Sequence, residues 1–301
     1  MNTPRDFLGY GPNPPDMRWP GGAGLAVSLV LNIEEGAELS LADGDEANES
    51  VHEVVQPVVG APDLCLASHF EYGTRVGWHR INQVMAEAGV PMTLNACARS
   101  LIGVPWLARQ AVADGHEICS HGWRWEAHAG MDEAHERELI ARAHREIARV
   151  AGVAPVGWHT KSSPSVNTRR LLVEHGGFHY DSDAYNDDLP YYVPVAGRPH
   201  LVLPYAFDTN DMRFFGTQGF VRGQDFADYV IDAFDWLLRE SRHGAKMMSI
   251  GLHLRIIGRA ARIGGLQTAL AHLRQAGGSG VWIARRDAIA RHWLEAVPAT
   301  D

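Results

Sequence analysis

Leu25-Ala26-Val27-Ser28-Leu29-Val30-Leu31-Asn32-Ile33-Glu34-Glu35-Gly36 decides the fold: an apolar, partly β-branched run stops abruptly at two carboxylates and a glycine. A short apolar run that ends in a turn signal reads as a strand buried on both faces, as in a parallel sheet. The same signature recurs along the chain. Strands are predicted over Leu25–Asn32, Pro91–Asn95, Glu117–Ser120, Val156–His159, Phe178–Asp181, His200–Tyr205, Lys246–His253 and Val281–Ala284. Between them, apolar residues recur at three and four over Val76–Ala88, Asp132–Val150, Asn167–His175, Gln224–Ser241, Gly265–Ala276 and Asp287–Trp293, which predicts amphipathic helices. Alternation of this kind makes βα units around a mainly parallel sheet, and the expected fold is a deformed (β/α) barrel.

Working outward, polar residues capable of chemistry gather where strands end. The first strand runs into Glu34-Glu35, Glu117–Ser120 into His121, Val156–Gly157 into Trp158-His159, Phe178–Tyr180 into Asp181-Ser182-Asp183, and Met247–Leu252 into His253. In a β/α barrel the carboxyl ends of the strands converge on one face, where the active site lies. Glu, His and Asp from five strand ends therefore predict one site. The stretch Glu35–Tyr72, acidic and without clean period, reads as a long loop or insertion of the kind that serves function.

The 301 residues are expected to form a single domain, residues 1–301, with residues 1–22 as an N-terminal extension and 35–72 as the insertion. A formal charge of −9 argues against a nucleic-acid or anionic-membrane partner, since no basic face could neutralise phosphates. Cys65, Cys97 and Cys119 are widely spaced and odd in number, so neither a disulfide framework nor a CxxC metal site is predicted. No secretory signal is read in Met1 to Trp19, and the apolar run Leu25 to Leu31 is too short to span a bilayer. The expectation is a cytoplasmic enzyme, a homodimer or homotetramer, acting on a small molecule.

Longer motifs sharpen this: Gly9-Tyr10-Gly11-Pro12-Asn13-Pro14-Pro15, Asn32-Ile33-Glu34-Glu35-Gly36, His121-Gly122-Trp123-Arg124-Trp125, Asp181-Ser182-Asp183-Ala184-Tyr185-Asn186-Asp187-Asp188-Leu189-Pro190-Tyr191, Asp208-Thr209-Asn210-Asp211-Met212-Arg213-Phe214 and Gly251-Leu252-His253. With these the chain resembles the polysaccharide deacetylase superfamily over nearly its whole length, and within it the metal-independent allantoinase branch. The resemblance implies the superfamily's deformed barrel and hydrolysis of a non-peptide C–N bond in a small cyclic amide or ureide. Where that branch reads G-W-Y-T-G-R, this chain has Gly157-Trp158-His159-Thr160-Lys161-Ser162, so the loop that would recognise a ring is altered more than the acid/base set.

The resemblance also frames the metal. Deacetylases of the superfamily hold zinc with one carboxylate and two histidines four residues apart, leaving a position open for water. Those positions correspond here to Glu35, His121 and Trp125, and an indole cannot ligate. No cofactor is expected to be required; zinc is the alternative, with His128, or else His69, completing a Glu35, His121 and His128 set. Without a metal, Glu35 or Glu34 with His121 would form a carboxylate–imidazole pair, and His253 would be the second acid/base. Arg124 or Arg255 could face a carbonyl oxygen; Trp125, Trp158, Tyr185 and Tyr191 could wall a planar ring, and His159, Lys161, Asp183, Asn186 and Asn210 could supply polar contacts. Two other readings stay open: a metal-dependent N-deacetylase of a small amide or amino sugar, and a non-catalytic binding protein on a degenerate barrel.

Overall fold

The computed structural model describes residues 5–299 apart from His52, Val55 and Gln218. The opening strand forms as read, β1 (Leu25–Ile33), with every residue buried. It is followed by β2 (Thr93–Ala96), β3 (Glu117–Ser120), β4 (Gly157–Trp158), β5 (Tyr180–Asp181), β6 (Tyr191–Val195), β7 (Arg198–Val202), β8 (Lys246–His253) and β9 (Val281–Ile283). They make one curled nine-stranded sheet in the order β6-β7-β5-β4-β3-β2-β1-β8. β9 pairs with the first half of β1 through Leu25–Val27, and β2 with its last residues through Val30–Ile33, so the two share one edge. All neighbours are parallel except β6 and β7.

Helices α1 (Leu64–Tyr72), α2 (Trp78–Ala88), α3 (Ala98–Gly103), α4 (Pro105–Ala113), α5 (Glu133–Ala151), α6 (Thr168–His175), α7 (Gly223–Glu240), α8 (Ile263–Gly277) and α9 (Arg286–Ala296) complete the α/β alternation. No helix among the described residues is long and apolar enough to cross a membrane. Three regions differ from the sequence reading. The expected loop over 35–72 ends in α1, α3 and α4 went unread, and β6 with β7 forms a hairpin whose turn, Ala196-Gly197, has both residues at positive φ. Such a turn matches the twist of a hairpin but is usually marked by Asn-Gly or Asp-Gly, and Pro194 in β6 is tolerated only because that strand is an edge.

The barrel is deformed because the far edge of β8 has no full strand partner. A seam segment crosses there: Asn210 bridges Gly251, the Gly251 amide donates to the Thr209 carbonyl at 2.9 Å, and the Thr209 hydroxyl donates to the Ser249 carbonyl at 2.6 Å. Below the seam, the wholly buried Arg286 enters the barrel from the first turn of α9. Its guanidinium donates to the hydroxyls of Ser28 (3.1 Å), Ser182 (2.9 Å) and Ser249 (2.7 Å) and to the carbonyls of Leu203 and Pro204. This explains why Ser28 interrupts the apolar run Leu25–Leu31 of β1: a buried cation must find oxygen atoms. Arg286→Ala should cost about 3 kcal/mol or more in urea unfolding, because it strands several buried acceptors beside a cavity; a loss under about 0.5 kcal/mol would show that the floor does not rely on it.

Candidate active site

Parallel strands deliver their last residues to one end of the barrel. There a cavity of about 230 Å³ is lined by Asn32, Glu34, Ser50, Val51, Glu53, His121, Trp125, His159, Lys161, Ser162, Tyr205, Phe207, Asn210, Met212, His253 and Arg255. Glu34 is its centre. Oε1 lies 3.7 Å from His121 Nε2 and 3.5 Å from His253 Nε2, and Oε2 accepts from Arg255 Nη1 at 2.6 Å. Burial alone would raise the pKa of this carboxyl, but Arg255, His253 and the contact from His121 hold it well below the usual carboxylate range.

The imidazoles are oriented differently. His121 Nδ1 meets the His159 carbonyl at 2.6 Å and, since a carbonyl only accepts, must carry a proton; Nε2 is left facing Glu34. His253 Nδ1 meets Asp211 Oδ1 at 2.6 Å, while Asp211 Oδ2 takes the amides of His253 and Ile257. Burial depresses the His253 pKa, but Asp211 and Glu34 outweigh it and raise the value to about 10.

Glu35, the carboxylate at the family's metal position, turns away from Glu34's side. Its Oε2 takes the Glu34 amide at 3.0 Å, and its Oε1 is buried without a partner against Gly73, where a Cβ would come within 2.2 Å. Burial and the neighbouring Glu34 push Glu35 up to about 7, against the opposing pull of Arg255. Gly73 opens a π turn, Gly73–Gly77, between α1 and α2, so the junction is shaped around this carboxyl.

Six further residues from the sequence reading lie outside this lining. Arg124 is not a carbonyl donor: it grips Asp45 at 2.6 and 2.7 Å and the Ala37 and Glu38 carbonyls. Trp158 is fully buried, with Nε1 on the Thr160 hydroxyl at 2.9 Å. Asp183 holds the Thr160 amide and hydroxyl at 2.7 and 2.6 Å, outside the cavity lining. Tyr185 stacks on Phe207 with ring centres 3.7 Å apart and lines a larger cavity of about 560 Å³ beyond the seam, which has no histidine in its lining. Trp125, His159, Lys161, Asn210 and Arg255 do line the site, while Asn186 and Tyr191, outside it, bond each other at 2.9 Å.

Sequence reading missed Asp211, Tyr205 and Glu53. Tyr205 reads only as the last residue of the strand His200–Tyr205 and Asp211 only as part of the motif Asp208–Phe214, neither with a role in the site; Glu53 lies in the acidic insertion. That insertion is a strap: Asp43 pairs with Arg99 (2.7 Å), Asp45 with Arg124, Glu49 with Lys161 (2.9 Å) and Glu53 with Arg255 (3.0 Å). These cations follow β2, β3, β4 and β8 in turn. The pairs on Glu49 and Glu53, both mostly buried, close one side of the cavity.

The residues present do not fit a zinc ion. Glu35 faces the α1–α2 junction, and His128 is bound to Glu136 at 3.0 Å and lies edge-on to Trp158, outside the cavity lining. His69 sits between Arg259 (2.8 Å) and Glu53 (3.5 Å), Trp125 replaces an imidazole, and Arg255 already occupies Glu34. Among the described residues, no group of three or more histidine, cysteine, aspartate or glutamate side chains is spaced to hold a metal.

Comparison with known proteins now places the chain. Residues 59–176 match the polysaccharide deacetylase family model. A Schizosaccharomyces pombe protein classed with the polysaccharide deacetylases is 36% identical over 315 residues, covering 97% of this chain and 98% of that one. The chain belongs to the polysaccharide deacetylase family, whose members are hydrolases of carbon–nitrogen bonds other than peptide bonds. The crystal structure of PuuE allantoinase superposes with a TM-score of 0.94 at 46% identity over 100% of both chains. A Pseudomonas aeruginosa PAO1 structure, classed as a polysaccharide deacetylase, has the same TM-score of 0.94 and 46% identity, over 99% of this chain and 100% of that one.

The His253 ring should keep its second proton until about pH 10 in an NMR titration. Its folded pKa lies above the ordinary value, so the stability it contributes is complete below about pH 6.5 and lost as pH rises through about 10. Asp211→Asn should bring the midpoint down by more than a unit; a native midpoint near 6.5 would contradict the assigned ion pair.

Proposed function

We propose that this protein opens a small cyclic amide or ureide by hydrolysis, using His121 as base, His253 as acid and no metal. The observation that carries the reading is Glu34 held between His121 Nε2 and His253 Nε2 while Arg255 neutralises its other oxygen. A water between Glu34 Oε1 and His121 Nε2 can donate one hydrogen to each, and His121 takes the proton as that water attacks the carbonyl carbon. His253, kept charged by Asp211, donates to the departing ring nitrogen. The His159 carbonyl leaves Nε2 of His121 as the acceptor and Asp211 keeps His253 charged, which assigns base and acid.

The developing oxyanion needs a donor. Tyr205 is suited to it, because its oxygen already accepts from Asn32 Nδ2 (3.2 Å) and Asn210 Nδ2 (3.5 Å), leaving its own hydrogen for the substrate. A volume of about 230 Å³ suits one small ring better than a polymer chain, and Trp125 supplies an aromatic wall. The likeness to PuuE allantoinase supports the ring-opening chemistry, and the altered residues His159, Lys161 and Ser162 in the lining point to a ring other than allantoin.

A panel of cyclic ureides and imides beside N-acetylated amino sugars tests the reading. Ring substrates should be turned over, with allantoin a poor one, and Glu34→Gln and His253→Ala should each lower kcat by about 10³-fold or more. Tyr205→Phe should cost about 10²-fold in kcat with little change in KM. Turnover of N-acetyl sugars alone would assign the protein to the deacetylating branch instead.

A further inference from the structure

His159 is 2% exposed yet lines the cavity. It stacks on His121 with ring centres 5.2 Å apart and planes within 7°, so it stands beside the imidazole assigned above as the base. Tyr205 packs its edge against it, with ring centres 4.8 Å apart. Nδ1 lies 3.2 Å from Asp183 Oδ1, although the approach is too oblique for a hydrogen bond. Asp183 is itself fixed by the Thr160 amide and hydroxyl and cannot swing away.

A carboxylate oxygen this close repels a lone pair and attracts a proton, so the tautomer with hydrogen on Nδ1 is favoured. Burial lowers the pKa of His159, so the ring is neutral and carries that one proton. Nε2 then bears a lone pair. It makes no hydrogen bond to any described residue and is not one of the sealed-off polar atoms of the core, so on this cavity-lining ring it is the nitrogen open to a ligand's donor.

Resting on the cyclic-amide reading, we infer that His159 determines specificity: Nε2 accepts a hydrogen bond from a ring N–H beside the attacked carbonyl, so preferred substrates carry an unsubstituted imide or ureide nitrogen. A ring methylated there loses the only donor it could offer and leaves the acceptor bare.

Two measurements on the full-length protein test this. The first compares kcat/KM for succinimide with N-methylsuccinimide, and for hydantoin with its N-methyl derivatives, in native enzyme and His159→Ala. The N–H member of each pair should be favoured by about tenfold or more in the native enzyme. In the variant the pair should converge because the N–H substrate loses rate. A native ratio near one, or convergence produced by the N-methyl substrate gaining rate, would overturn the assignment, the latter showing simple steric exclusion. The second is nitrogen-15 NMR of the free protein, with the His159 signals identified by their loss in the variant. A protonated Nδ1 and bare Nε2 are expected; a proton on Nε2 overturns the inference whatever the substrate. If no ring is hydrolysed but this tautomer is found, the cyclic-amide reading fails while the acceptor stands.

Discussion

The site depends on one buried ion pair, Glu34 with Arg255. Its geometry follows from strand register: β1 and β8 pair with Asn32 opposite His253, so the positions two residues further on, Glu34 and Arg255, emerge side by side just past the ladder. Removing two charges from water costs several kcal/mol each, and only a close, hydrogen-bonded geometry offsets it. Here the guanidinium approaches Glu34 to 2.6 Å and also reaches Glu53 at 3.0 Å. Glu34 is thereby kept ionised where a neutral acid would be the default, and its free oxygen faces His121 and His253.

The strap and the seam build the rest around that pair. The strap brings acidic residues to cations at four strand ends, and Glu53, with the Lys161 that Glu49 holds, covers one side of the cavity. Excluding water strengthens every charge interaction within. The seam, where the barrel fails to close, carries Tyr205, Asn210 and Asp211 into reach of β8. A regular closing strand would alternate its side chains inward and outward; an irregular segment can present an oxyanion donor, a cavity wall and a carboxylate partner for His253 within a few residues.

Much of this was legible in the sequence. The apolar runs stopping at His121 and His253 marked the ends of β3 and β8 correctly, because parallel strands buried on both faces leave an unmistakable pattern. The choice between Glu34 and Glu35 was not legible: neighbours at a strand end point to opposite sides, and only the packing of Gly73 shows which side holds the void. Arg124 misled because it follows His121 closely; Gly122, at φ 84°, turns the chain there and sends the arginine to the strap. Tyr205 was legible as a strand end and Asp211 as part of a motif, but not their partners, which depend on contacts across the seam rather than on local structure.

The central claim, that the clamped Glu34 with His121 and His253 suffices for hydrolysis, is tested most directly by assaying protein depleted of metal. Turnover of a ring substrate should be undiminished after prolonged chelation, with metal well below one equivalent by elemental analysis. Activity that disappears with chelation and returns in proportion to added zinc would contradict the account.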